Sequence, residues 1–338
     1  MDALPEFQLL HPTTVDEALK AKAAHPESRM LGGGTDLIVN IRRGIVAPSV
    51  LIEMNGVSEL RAIKADAGMI ELGASVTLAE VANHPEIVKR YPVVAEAAGF
   101  IAGSTHRNMG TVGGNICLDT RCIYYNQSEW WRSANNHCLK TTGTICHVAP
   151  KSRGVCFATF SGDLAPAFLT LGAEVDLAGP GGRRTVPLDS IYIGYSRQDQ
   201  PVTEILGDGK YYLSLRKGEF VTAVRAKNTP GLRSAYDKIR IRRSIEYPVV
   251  GVAVALCREG KNLVDLRVAF TGTNSRPVLL QGTTALCGGP LNERVFEGLD
   301  DLVRDQIMAM KTTFTPGHYR RRVGGVLARR LVTRLFES

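Results

Sequence analysis

Five of the seven cysteines crowd into one short stretch of this chain: Cys117, Cys122, Cys138, Cys146 and Cys156. Only Cys257 and Cys287 lie elsewhere. The start, Met1 to Pro12, has neither a basic n-region nor an apolar h-region, so a cytoplasmic, reducing setting is expected. In that setting clustered thiols argue for metal rather than disulfides. Between Cys122 and Cys138 lie 15 residues, between Cys138 and Cys146 seven, and between Cys146 and Cys156 nine. Four thiolates from one loop suit an iron–sulfur cubane or a structural Zn²⁺. No C-x₂-C knuckle is present, which disfavours a zinc ribbon without removing zinc. His137 and His147 each stand beside a cysteine and are alternative ligands.

Two glycine turns are the second chemical feature. Gly32-Gly33-Gly34-Thr35-Asp36-Leu37 and Gly110-Thr111-Val112-Gly113-Gly114-Asn115 each end in short polar residues. Glycines admit positive φ and let backbone N–H groups approach a phosphate with no Cβ in the way. Singly, either turn reads equally well as a tight structural bend. As a pair they suit the two phosphates of one dinucleotide. Neither is a Walker loop or a Rossmann G-x-G-x-x-G, because no lysine follows and the spacing differs.

The elements that must position these residues follow from periodicity and punctuation. Val15–Ala24 is expected to be helical with Thr14 as its cap, and strands are expected at Arg29–Leu31, Val50–Met54 and Met69–Gly73. Helices follow at Leu78–Ala82 and Val93–Ala102. From Cys117 to Cys156 the periodicity fails, although both tryptophans, Trp130 and Trp131, lie there. A long loop of this kind is functional or disordered. The tryptophans, Tyr124, Tyr125 and the cysteines argue against disorder. Beyond it a helix is expected at Leu164–Leu171, then strands at Glu174–Leu177, Tyr211–Leu215 and Phe220–Ala226. Asn228-Thr229-Pro230-Gly231 reads as a boundary turn. The remainder reads as three strands (Ser234–Ile241, Val249–Cys257, Val264–Thr271) and two helices (Asn292–Met310, Tyr319–Phe336).

A chain of 338 residues exceeds what one core usually holds, so two or three packed domains are expected. The 44% hydrophobic and 22% charged composition is that of an ordinary globular protein, and no apolar run is long enough to span a membrane. The net charge of +8 is concentrated at Lys238–Arg243 and His318–Arg334. It fits an anionic cofactor or partner, or a solvated, subunit-facing basic helix. No nucleic-acid-binding module accompanies it.

The ordered motifs carry a resemblance. Leu31 to Leu37 resembles the A-G-G-T-D-L turn of the flavin domain in the xanthine dehydrogenase and carbon monoxide dehydrogenase families. Arg107-Asn108-Met109-Gly110-Thr111-Val112-Gly113-Gly114-Asn115 is similar to their R-N-x-G-T-[IV]-G-G-N signature. Ser161 to Pro166 resembles their [SG]-D-x-x-P turn, Tyr236–Arg242 a strand with a basic residue near the flavin ring, and Gly317–Arg322 their closing Y-R-R helix. The resemblance implies an α+β chain: a two-subdomain FAD-binding domain over 1–227 (about 1–55 and 56–227), then a C-terminal α+β domain over 228–338. By carry-over, Gly32, Gly33, Gly34, Thr35, Asp36 and Leu37 would hold the pyrophosphate and ribose with Thr111, Gly113, Gly114 and Asn115. Asn108 belongs to the same motif. Asp163 would reach the adenosine side, and Val221 and Lys238 the ring; an ordinary strand lysine is the other reading of Lys238. The flavin would do the redox chemistry, with the protein orienting it.

In most of that family the second turn runs within a dozen residues into the S-D-x-x-P motif. Here 47 residues separate Asn115 from Asp163, and the excess coincides with the cysteines. An insert at about 117–157 resembles the 4-hydroxybenzoyl-CoA reductase branch, whose flavin subunit carries an additional [4Fe–4S] cluster. That implies Cys122, Cys138, Cys146 and Cys156 as ligands, with Cys117 a small buried thiol tethered to the flavin loop. It further implies an electron relay in a hetero-oligomer with a [2Fe–2S] small subunit and a molybdopterin large subunit. A low-potential, ferredoxin-like donor would feed it for reductive dehydroxylation of 4-hydroxybenzoyl-CoA. Arg121, Arg132, Lys140, Lys151 and Arg153 are candidates for steering such an acidic donor. Three rival readings stay open: an NAD-reducing hydroxylase flavin subunit with structural zinc, a non-catalytic scaffold, and a self-contained FAD oxidase.

Overall fold

The computed structural model describes residues 4–152, 154–193 and 208–338. Three sheets organise them. The first is a small parallel sheet of β1 (Gln8–Leu10), β2 (Arg29–Leu31) and β3 (Val50–Glu53), ordered β1-β3-β2. Helix Val15–Ala24 connects β1 to β2 and begins as expected, with Thr14 Oγ1 accepting from the Glu17 N–H. Its buried Val15 and Ala18 pack with Ile52 and Met54, so the inner face of this layer is apolar while its β2 edge meets solvent.

The second sheet is antiparallel: β4 (Ile63–Ala65), β5 (Met69–Gly73), β6 (Glu174–Gly179), β7 (Gly182–Pro187) and β8 (Phe220–Lys227), in the order β4-β5-β8-β6-β7. Between β5 and β6 the chain leaves the sheet to form helices Leu78–Asn83, Pro85–Arg90, Pro92–Phe100 and Leu164–Thr170, together with the cysteine segment. Thr77 and Glu80 close a reciprocal capping box that fixes the first of these helices. Leu164–Thr170 is buried at every position and forms the hub of the largest apolar core.

The third sheet contains β9 (Arg233–Ile239), β10 (Val250–Glu259), β11 (Asn262–Thr271) and β12 (Val278–Leu279), ordered β12-β11-β10-β9, with β13 (Gly289–Pro290) paired to β11. β10 is flanked on both sides and is buried from Val250 to Leu256. Helices Glu293–Gln306 and Gly317–Glu337 cover the sheet. The former places Val295, Leu299 and Val303 on one buried face, the i, i+4, i+8 stripe of an amphipathic helix. The molecule is therefore α+β, as expected.

Two expectations fail locally. Tyr211–Leu215 is not a strand; only Leu213 pairs, as an isolated bridge with Tyr192. The described residues of the cysteine segment include a helix, Glu129–Ala134, carrying both tryptophans and capped by Ser128 Oγ. That helix is too short for its periodicity to show in the sequence. Among the described residues, no helix is long and apolar enough to cross a membrane.

Candidate functional site: a glycine-walled cleft beside four thiols

The first glycine turn follows directly from β2, and Gly34 adopts φ +72°, a conformation that favours glycine. The second turn is pinned to the stretch that follows β5 by hydrogen bonds from Val112 N to Val76 O (2.9 Å) and Gly113 N to Ala74 O (2.8 Å). Thr111 Oγ1 accepts from Gly114 N at 3.2 Å and so caps the short helix Val112–Ile116. The two turns interlock. A Cβ on Gly33 would stand 1.6 Å from the Met109 carbonyl oxygen, and one on Gly32 would stand 2.7 Å from Thr111 Oγ1. Glycine is required there by close backbone approach.

Together the turns wall a cleft of about 830 Å³. Gly32, Gly33, Gly34, Thr35, Asp36 and Leu37 line it with Thr111, Gly113, Gly114, Asn115, Asp163 and Val221. The N–H groups of Gly33, Gly34 and Thr35 have no hydrogen-bond acceptor among the described residues. A row of free backbone donors with no side chain in front is what a phosphate needs. The volume lies within the range of small-molecule and cofactor pockets. These residues fit the phosphate-bearing part of a dinucleotide.

Two expected residues are elsewhere. Asn108 is an exposed helix-capping residue and does not line the cleft. Lys238 is buried behind the wall, its Nζ 3.1 Å from Asp163 Oδ1 and 3.2 Å from Oδ2, with a further bond to the Glu246 carbonyl. Tyr236 donates its hydroxyl to the same carboxylate. Burial pushes the Asp163 carboxyl above its usual range, and Lys238 opposes that shift. The β9 lysine thus holds Asp163 in place instead of entering the cleft. Asn115 does related work on the backbone, its Oδ1 accepting from Leu164 N at 2.9 Å. Sequence inspection missed Arg121, Tyr212 and Tyr247, all of which line the cleft. The signal for Arg121 was its position one residue before the first inserted thiol.

The four expected ligands, Cys122, Cys138, Cys146 and Cys156, are all buried, and every cysteine is a free thiol. Cys122 and Cys138 share an apolar cluster with Ile45 and Tyr125, and Cys122 Sγ accepts from Tyr125 N at 3.4 Å. Burial raises the Cys122 thiol to about 11, and the nearby Cys138 and Cys146 add to that rise. Cys146 and Cys156 are hydrogen-bonded to each other, which lowers Cys146 and raises Cys156. Cys122 and Cys138 thus share one cluster, and Cys146 and Cys156 influence each other as a pair. Cys117 stands apart: it lines the cleft, packs on the main core, and is pushed up to about 12 by burial alone. His147 Nε2 donates to the His137 carbonyl at 2.7 Å, so that nitrogen carries the proton. Among the described residues, no three His, Cys, Asp or Glu side chains are grouped to hold a single metal ion.

The segment is tied to all parts of the fold. Arg121 and Thr159 exchange backbone hydrogen bonds of 2.9 and 2.7 Å where it leaves and re-enters the host. Ile123 N donates to Thr312 O (2.9 Å), and Ser275 Oγ to the Cys156 carbonyl (3.4 Å), which anchors it to the C-terminal part. The basic side chains expected to steer a donor are largely committed inward. Arg132 is buried and bonds the carbonyls of Gly44 and Gln127 at 2.7 and 2.5 Å. Lys140 bonds Asp119 Oδ1, the Thr120 carbonyl and the Gly209 carbonyl, and its charge lies over the Tyr125 and Tyr212 rings. Arg121 faces the cleft. Lys151 is exposed, and Arg153 lies outside the described residues. Steering by this group as a whole is not compatible with that arrangement.

Comparison with known proteins decides the family. Residues 5–226 match the family model of the FAD binding domain in molybdopterin dehydrogenase. The chain belongs to that family. Residues 234–335 match the CO dehydrogenase flavoprotein C-terminal domain. The chain is 28% identical over 278 residues to the aldehyde oxidoreductase FAD-binding subunit PaoB of Escherichia coli K12, covering 81% of this chain and 83% of that protein. It is 25% identical over 302 residues to the carbon monoxide dehydrogenase medium chain of Hydrogenophaga pseudoflava, covering 88% and 85%. The fold is that of the solved carbon monoxide dehydrogenase from Hydrogenophaga pseudoflava, with a TM-score of 0.78, 21% identity and 99% of both chains covered. This is an FAD-binding medium subunit of the xanthine dehydrogenase and CO dehydrogenase type.

Proposed function

We propose that this subunit serves a hetero-oligomeric molybdenum enzyme in the cytoplasm, beside a [2Fe–2S] small subunit and a molybdopterin large subunit. Within it, the chain relays electrons from an external low-potential, ferredoxin-like donor towards those centres. Its class of reaction is reductive removal of an aromatic hydroxyl, with 4-hydroxybenzoyl-CoA as substrate on the partner subunit. The FAD-binding domain is taken as 1–227, carrying the insert at about 117–157, and the C-terminal domain as 228–338.

The observation that carries the reading is the set of four buried free thiols in one segment beside a cleft that fits a dinucleotide. Cys122, Cys138, Cys146 and Cys156 would hold a [4Fe–4S] cluster, and the two glycine turns would hold FAD. When bound, the cluster supplies one-electron exchange and the flavin supplies one- and two-electron exchange. The chain's own residues bind, orient and exclude water. Four thiols without a C-x₂-C knuckle favour a multi-iron cluster over a zinc ribbon.

The test is a visible spectrum with metal and sulfide analysis of the purified chain. Flavin with four irons and acid-labile sulfide supports the reading. Flavin with one zinc, together with rapid reduction by NADH, replaces it by the NAD-linked hydroxylase type. Colourless protein leaves only a scaffold.

A further inference from the structure

The cysteine segment supplies part of the cleft wall: Cys117, Leu118, Asp119, Arg121 and Asn126 all line it. One charged side chain among them is enclosed. The Arg121 side chain is 11% exposed, whereas the other arginines of the cleft, Arg29 and Arg43, are open to solvent. The guanidinium is held in place on several sides. Nη1 donates to Asn126 Oδ1 at 3.3 Å, and the group lies 5.2 Å from the Tyr125 ring centroid. Its backbone forms the bridge with Thr159. Nη2 is buried without a hydrogen-bond acceptor among the described residues, and lies 3.5 Å from Asp36 Oδ1 at the end of the first glycine turn. Asp119 does not absorb the charge. It is 3.9 Å from Arg121 Nε, and it is already paired to Lys140 at 2.7 Å.

We infer that Arg121 is a cofactor-binding residue contributed by the cysteine segment, its cleft-lining guanidinium setting positive charge beside the phosphates of the bound dinucleotide while Nη2 pairs with Asp36. This inference rests on the flavin reading. Its basis is the combination of an enclosed cation that lines the cleft and the glycine turn it is paired to through Asp36. Planar guanidinium is suited to phosphate. No residue separates Arg121 from the first of the four thiols, because Cys122 is its direct neighbour in the chain. Disturbing the segment around Cys122 must therefore disturb the cleft wall, and flavin affinity is coupled to the integrity of the segment.

FAD is titrated into flavin-free protein by fluorescence for the wild type, Arg121→Met, Arg121→Lys and Arg121→Gln, with ADP as a competitor that carries the pyrophosphate without the ring. Iron content, circular dichroism and melting verify each fold. Arg121→Met is expected to weaken both FAD and ADP about tenfold or more. Arg121→Lys should retain most of the affinity, and the salt dependence of binding should flatten in Arg121→Met. If Arg121→Met does not fold, Arg121→Gln, which keeps a donor for Asn126, carries the comparison. Unchanged FAD affinity in a folded, neutral variant overturns the inference while leaving the flavin reading intact. Loss for FAD but not for ADP also overturns it, because the cation then faces the ring. Failure of the wild type to bind FAD sinks the flavin reading and this inference together.

Discussion

The Nζ of Lys238 lies 3.1 Å from Oδ1 of Asp163, and both side chains are almost wholly shut away from water. β9 thereby reaches across to the residue that begins helix Leu164–Thr170 and lines the cleft. Removing one partner of a buried pair leaves an uncompensated charge, which costs about 3–5 kcal/mol. Lys238→Met is expected to lower unfolding free energy by that order, measured by denaturant titration. Adding Asp163→Asn should restore part of it. A lysine acting only on a flavin ring would leave the stability of the flavin-free protein unchanged.

The two turns should respond differently to a single methyl group. At Gly33 an added Cβ strikes the Met109 carbonyl, so Gly33→Ala must separate the turns and is expected to lower the melting temperature of flavin-free protein. At Gly114 the nearest atom to an added Cβ is Thr111 Oγ1, at 3.1 Å, and the residue is exposed to the cleft. Gly114→Val is therefore expected to fold close to normally yet retain little FAD, read as flavin absorbance against protein. Full flavin occupancy in both variants would refute the clamp.

Cys117 and Cys122 provide a paired test of the ligand set. Cys117→Ala is expected to keep four irons and the resonance signal of the reduced cluster. Alanine at Cys122, Cys138, Cys146 or Cys156 should lose or degrade the cluster. Loss of iron from Cys117→Ala with retention in Cys122→Ala would exchange those two assignments.

Arg132 joins the cysteine segment to the first sheet's layer through the Gly44 carbonyl. Arg132→Met removes charge-assisted bonds to three backbone carbonyls, those of Tyr125, Gln127 and Gly44, that are left without that donor. A stability loss of about 2 kcal/mol and faster proteolytic cutting near residues 125–135 are expected. The salt dependence of reduction by a low-potential donor should not change, because this side chain does not face solvent.

Much of this was legible in the chain itself. Thr14 before Val15–Ala24, and the apolar stripe Val295, Leu299, Val303, are local signals whose meaning does not depend on distant residues. The paired glycine turns were legible for the same reason. What local pattern could not contain was partnership over long separations. Lys238 reads as one more basic strand residue until Asp163 is placed beside it. Arg132 and Lys140 read as surface charge until the carbonyls of Gly44 and Gly209 are seen to hold them. Tyr211–Leu215 has strand composition, yet only Leu213 finds a pairing partner. Helix Glu129–Ala134 is too short to leave a period.

Arg121 and Thr159 are hydrogen-bonded to each other at the neck of the cysteine segment. An excursion whose entry and exit already touch returns to its host at a fixed point, so the flanking helices need not shift when its far part changes length. Loop-closure cost rises only slowly with length, so lengthening or shortening such an excursion perturbs the host little. A change of length between Cys138 and Cys156 thus leaves the scaffold in place, whereas the stretch from Cys117 to Asn126, which lines the cleft, stays with the host.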